Sequence, residues 1–98
     1  MYTEKEHLVL YDFISEHCLP CKMMKPTMVA LKKRMKGKID IVKISADESP
    51  DYAKALNLKS FPSFVLVKEN NIIWRHSGML SLKDFIEALN EFVTLKTK

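Results

Sequence analysis

The segment His17-Cys18-Leu19-Pro20-Cys21-Lys22 constrains this chain more than any other, because of what flanks it. Before it runs His7-Leu8-Val9-Leu10-Tyr11-Asp12-Phe13-Ile14, nearly all apolar, the pattern of a strand covered on both faces. After it comes a long helical pattern, expected to run from Cys18 to about Lys36, with a kink at Pro26 and a stop at Gly37. Both cysteines of the chain therefore stand where a strand turns into a helix. A helix start carries unpaired N–H groups and the positive end of the helix dipole, so a thiol there gives up its proton more easily. Three residues along a helix return to nearly the same face, so Cys18 and Cys21 can close a disulfide with little rearrangement. Pro20 falls in the first turn, where its missing N–H has no helical partner to lose.

Two other uses of the pair are weaker. Structural zinc needs four ligands, yet there is no second Cys pair, and His7, His17 and His76 do not repeat at ligand spacing. A purely structural disulfide would close a very short loop and remove little entropy from the unfolded chain. Dithiol–disulfide exchange is the favoured chemistry, and it calls for no metal and no cofactor.

Ninety-eight residues make one small domain, read as spanning 1–98. With 47% hydrophobic residues, 29% charged and only two glycines, the chain reads as a compact globule rather than a disordered one. The polar stretch Met1-Tyr2-Thr3-Glu4-Lys5-Glu6-His7 lacks the basic-then-apolar layout of a signal peptide, and no apolar run approaches membrane-spanning length. A cytoplasmic protein that does not engage a membrane is expected. The net charge of +4 raises the question of nucleic acid. Much of the excess lies in Lys32, Lys33, Arg34, Lys36 and Lys38, which at helical spacing alternate with Met24, Met28, Leu31 and Met35. That is the solvated outer face of an amphipathic helix, so no nucleic-acid partner is assigned.

Asp12 interrupts the first strand on the face shared with Leu8 and Leu10, so its carboxylate is expected to point inward, unless the strand end frays there. A buried carboxylate has a raised pKa and can serve as a proton acceptor. Downstream, Lys38 to Ile44 is β-branched at four positions and reads as a second strand, which completes a right-handed parallel βαβ unit. Ser49-Pro50-Asp51 reads as a capped start of a short helix reaching about Leu56. Phe64 to Val67 is a third strand, Asn70-Asn71 a turn, and Ile72 to His76 its hairpin partner, ended by Gly78. Ser81-Leu82-Lys83-Asp84 resembles a capping box, followed by one apolar stripe through Leu82, Phe85, Ile86, Leu89 and Val93. The order is β-α-β-α-β-β-α. Trp74 and the six methionines read as packing residues.

Taken together, these residues resemble the thioredoxin family. Leu10-Tyr11-Asp12-Phe13, then Cys18-x-Pro20-Cys21-Lys22, then Pro26, has the order and spacing of that family's active-site segment. Lys43 matches the lysine near its buried aspartate, Asp47 an acid soon after, Phe61-Pro62-Ser63 its cis-proline loop, and Gly78 the glycine before its last helix. The resemblance covers about Leu8 to Leu95. It implies an α/β thioredoxin-like fold with a four-stranded mixed sheet flanked by helices. It also implies a protein-disulfide reductase in which Cys18 is the exposed nucleophile and Cys21 the partly buried resolving thiol. Asp12, tempered by Lys43, would take the proton from Cys21. Substrate contacts would fall on His17, Leu19, Pro20, Phe61 and a cis Pro62. The implied partners are protein disulfides, with a reductase or a low-molecular-weight thiol as electron donor, acting on a monomer in cell redox homeostasis and electron transport.

Three departures are specific to this chain. His17 replaces the family's usual tryptophan and Leu19 its usual glycine, and the Leu19-Pro20 dipeptide lies where the family sets its redox poise. Only seven residues precede Leu8, where the resemblance begins, which implies a minimal version nearer glutaredoxin proportions. A rival reading is a binding module, or a dedicated redox partner docked through the rim of Leu19 and Phe61. The intact pair with Asp12 and Pro62 argues against a mere binder, which needs no proton chemistry.

Overall fold

The computed structural model describes residues 7–96; the polar stretch 1–6 lies outside them. In chain order the elements are β1 (Leu8–Ile14), α1 (Leu19–Met23), α2 (Lys25–Arg34), β2 (Asp40–Ser45), α3 (Pro50–Ala55), β3 (Ser63–Lys68), β4 (Asn71–Ser77) and α4 (Leu82–Lys96). The four strands form one mixed sheet in the order β2-β1-β3-β4. β1 pairs with β2 in parallel and with β3 antiparallel, and β3 pairs antiparallel with β4. This is the four-stranded thioredoxin-like arrangement that the resemblance implies.

The core follows from strand alternation. Leu8 and Leu10 lie in one row of β1, and register sets Leu10 beside Leu66 and Asp12 beside Phe64. On that face Met24, Leu31 and Met35 from the helical segment meet Phe85, Leu89 and Val93 from α4 in one buried cluster. The Phe64 and Phe85 rings meet edge to face with centroids 4.7 Å apart, a geometry that adds to simple area burial. Trp74 is half-buried against this cluster, its ring stacked on His76. The basic residues Lys32, Lys33, Arg34, Lys36 and Lys38 are all exposed, as the amphipathic pattern requires.

Four local expectations change. The helix expected from Cys18 to Lys36 is two helices: Cys18 is the N-cap, the break falls at Met24, and α2 ends at Arg34. Pro26 has no N–H to give the carbonyl of Lys22 and its ring crowds the preceding turn, so the chain tightens ahead of it. The Met24 N–H is shared between the carbonyls of Pro20 and Cys21. The hairpin turn is Glu69-Asn70, both at positive φ, rather than Asn70-Asn71, because Asn71 already pairs with Lys68. Ser49 caps α3 without its side chain; its carbonyl receives the N–H groups of Tyr52 and Ala53. The strand ends shift by one or two residues, to Asp40–Ser45 for β2 and Asn71–Ser77 for β4.

Ser81 does cap α4: its hydroxyl accepts the Asp84 N–H at 3.1 Å. Ser81→Ala should therefore cost about 1 kcal/mol in urea unfolding. Phe85→Ala, which empties a fully buried site against Phe64, should cost about 3–5 kcal/mol. Comparable losses for the two would contradict this account of where α4 is held.

Candidate redox site

The turn from β1 into α1 sets the two cysteines at disulfide geometry. Cys18 is in extended conformation as the N-cap, and its sulfur accepts the Cys21 N–H at 3.1 Å. The Cα atoms lie 5.3 Å apart and the disulfide is closed. An N–H aimed at the Cys18 sulfur, from a donor without another helical partner, favours negative charge there once the bond opens. The turn is fastened from the loop after β2: Asp47 accepts the backbone N–H of Glu16 and the hydroxyl of Ser15.

The expected difference in exposure is reversed in the disulfide form. Cys18 is buried, with 7% of its surface accessible, and Cys21 is half-buried. The N-cap residue sits within the turn that joins strand to helix, whereas Cys21 lies within α1, none of whose residues is buried.

Asp12 is buried at 4% exposure, its Oδ1 without a hydrogen-bond partner in the structure. The strand end does not fray; Asp12 pairs in register with Lys43 on one side and Phe64 on the other. Burial pushes the Asp12 carboxyl up to about 6, and the nearby Lys43 ammonium pulls it partly back. Desolvation wins because Lys43 itself is exposed, where water weakens its field.

Cys18, Cys21, Asp12 and Lys43 all line one cleft of about 460 Å³. Phe61 and Pro62 do not line it, yet they lie at the same end of the sheet, since the next residue, Ser63, is level with Phe13. The Phe61–Pro62 bond is cis and Pro62 is buried. Its carbonyl accepts the N–H of Gly78. His17, Leu19 and Pro20 are exposed around the pair and stand outside the cleft. Sequence reasoning missed the cleft's remaining wall, formed partly by Lys22, Lys25, Val29 and Lys32. Their spacing of three, four and three residues was the available signal, since it marks one helical face.

The Thioredoxin family model matches residues 2–91. The chain belongs to the thioredoxin family. It is 38% identical over 84 residues to thioredoxin H2 of Arabidopsis thaliana, covering 86% of this chain and 61% of that protein. It is 30% identical over 88 residues to the chloroplastic thioredoxin Y1 of the same plant, covering 90% of this chain and 51% of the relative. The chain thus spans about half to three-fifths of the length of these two relatives. Oxidised mitochondrial thioredoxin 3 from Saccharomyces cerevisiae superposes with a TM-score of 0.79 at 30% identity, over 90% of this chain and 81% of that one. Among the described residues no helix is long and apolar enough to cross a membrane.

The raised Asp12 pKa makes a signed stability prediction. The folded state holds the proton more tightly than the unfolded state, so the stabilisation is complete below about pH 4 and is lost as pH rises through about 6. At pH 8 the buried carboxylate then costs the fold about 3 kcal/mol. Asp12→Ala should exceed wild type in urea stability at pH 8, by up to that amount, with the advantage shrinking towards pH 4. A stability difference that does not vary with pH would show that Asp12 is not held in this environment.

Proposed function

We propose that this chain is a thiol–disulfide oxidoreductase that reduces protein disulfides through the Cys18–Cys21 dithiol. The observation that carries the reading is the closed disulfide at a helix start, with the buried Asp12 carboxyl bordering the same cleft. In the reduced protein the Cys18 thiolate attacks one sulfur of a substrate disulfide. A mixed disulfide forms and the first substrate sulfur leaves as a thiolate, which takes up a proton. Cys21, deprotonated by Asp12 directly or through water, then attacks the Cys18 sulfur. The second substrate thiol is released and the Cys18–Cys21 disulfide closes, so two electrons pass to the substrate.

Lys43 tempers the charge on Asp12 and keeps its basicity moderate. The burial of Cys18 in the disulfide form fits a sulfur that is reached once the bond has opened. His17, Leu19, Pro20 and Phe61 form the rim that meets substrate, with the exposed Leu19 supplying apolar contact. The cis Pro62 shapes the groove and leaves the Phe61 backbone to pair with an extended substrate segment. The protein works as a monomeric single domain in the cytoplasm, taking electrons from a reductase or a small thiol and serving redox homeostasis there.

Catalytic reduction of insulin disulfides by dithiothreitol tests the activity, and its absence would overturn the proposal. The roles of the two sulfurs separate by alkylation: reduced protein should be modified at Cys18 well before Cys21. Cys21→Ser should accumulate mixed disulfides on Cys18. Equal modification rates would remove the assigned roles. Asp12→Ala should slow insulin turnover while remaining folded, in line with a loss of about 10²-fold or more for removed acid–base assistance where proton transfer limits the rate.

A further inference from the structure

The cleft beside the disulfide has a chemical character that protein-disulfide reduction does not require. Its floor is apolar, with the half-buried Ile14, Met28 and Ile41, and the exposed Val29 stands on its wall. Its walls carry Lys22, Lys25, Lys32 and Lys43 against a single exposed anion, Glu16. Among the described residues none of Lys22, Lys25 and Lys32 has an ion-pair partner. These three converge because they share one face of the α1–α2 segment, and Lys43 reaches the same space from β2. The two sulfurs and the unpartnered Asp12 Oδ1 also border it.

A cleft of about 460 Å³ lies in the range that holds a small molecule of a few linked residues. Cationic walls select carboxylates. The apolar floor accepts methylene groups, and a buried carboxyl oxygen without a partner accepts an amide or ammonium N–H. The bordering disulfide adds sulfur chemistry to that set. We propose that this cleft binds a small anionic peptide thiol, which delivers electrons to the Cys18–Cys21 disulfide. The inference rests on the redox reading above and names the donor class for it.

The steps balance without any further reagent. One donor thiolate attacks a sulfur of the pair; the Cys–Cys bond breaks, a donor–cysteine disulfide forms, and the released cysteine takes up a proton. A second donor thiolate attacks the mixed disulfide and leaves as the oxidised donor disulfide, and the other cysteine takes up the second proton. Two donor thiols are oxidised and one protein disulfide is reduced.

The test uses the full chain in its oxidised form with glutathione as the anionic peptide thiol and 2-mercaptoethanol as the uncharged one. Lys25→Gln/Lys32→Gln should slow disulfide reduction by glutathione about fivefold at low salt, and change the rate with 2-mercaptoethanol less than about twofold. S-methylglutathione, which cannot react, should shift the amide resonances of Lys25, Val29, Lys32 and Ile41 saturably in wild type. An equal effect of the double variant on both thiols, or no effect on either, would overturn the proposal. Shifts produced by triglutamate and not by S-methylglutathione would assign the cleft to an acidic protein segment and overturn it as well. Insulin reduction by wild type with dithiothreitol reads the redox proposal separately, so its persistence alongside failed glutathione arms would remove the donor inference alone.

Discussion

The site depends on one constraint, the pairing of β1 along both of its edges. A strand bonded on both sides cannot shift by one residue without breaking two ladders, and such a slip would turn Asp12 to the opposite face. Parallel pairing with β2 forces the chain to cross over between them, and α1 and α2 fill that crossover. The crossover has to begin at the carboxyl end of β1, which is where Cys18 stands. Antiparallel pairing with β3 brings the start of β3, and so Phe61 and Pro62, to that same end. Segments around residues 12, 18, 43 and 62 therefore meet through strand register, with no long loop needed to hold them.

That frame also explains how an unpartnered carboxyl survives in a small protein. Asp12 continues the row of Leu8 and Leu10 beside Phe64, so the residue is buried, and only its cleft-facing side is left open to solvent. Two opposing effects act there. Desolvation raises the carboxyl pKa and Lys43 lowers it, with the balance near 6, where a group can both accept and return a proton close to neutrality. A cation buried against Asp12 would have held the carboxyl ionised, with a lower pKa, at its own cost in desolvation. Here the cation stays in water, and part of the instability is retained as basicity.

Much of this was legible in the sequence because it rests on period and on order. The apolar run of β1, the stripe of α4 and the position of Asp12 within an apolar row each follow from spacing alone. The features that were not legible are decided by partners far along the chain. Either asparagine of Asn70-Asn71 tolerates positive φ, and only the pairing of Lys68 with Asn71 selects Glu69-Asn70 as the turn. Pro26 announces a break, but the shared carbonyls of Pro20 and Cys21 place it at Met24. The exposure of the two cysteines was misjudged because helix position says which residue comes first, not how deeply the turn encloses it. Lys22, Lys25 and Lys32 carry a helical spacing that shows a common face without showing that a cleft lies in front of it.

That last distinction bears on how the redox pair is approached. Leu19 and Met23 are exposed, four residues apart on α1, and neither lines the lysine-walled cleft. The same short helix therefore offers apolar surface on one side of the cysteines and cationic walls on the other. In the proposed reading an extended protein segment gains from apolar contact and from backbone pairing beside Pro62, where desolvation of side chains is rewarded. A small charged thiol gains little there and more from a concave wall of lysines, where its carboxylates exchange water for ammonium partners. In the reading proposed above, oxidising and reducing partners thus meet one disulfide from different sides. On that proposal Leu19 and Lys22 serve different partners although both sit in the first turns after Cys18, and substitutions at the two positions are expected to act on separate half-reactions.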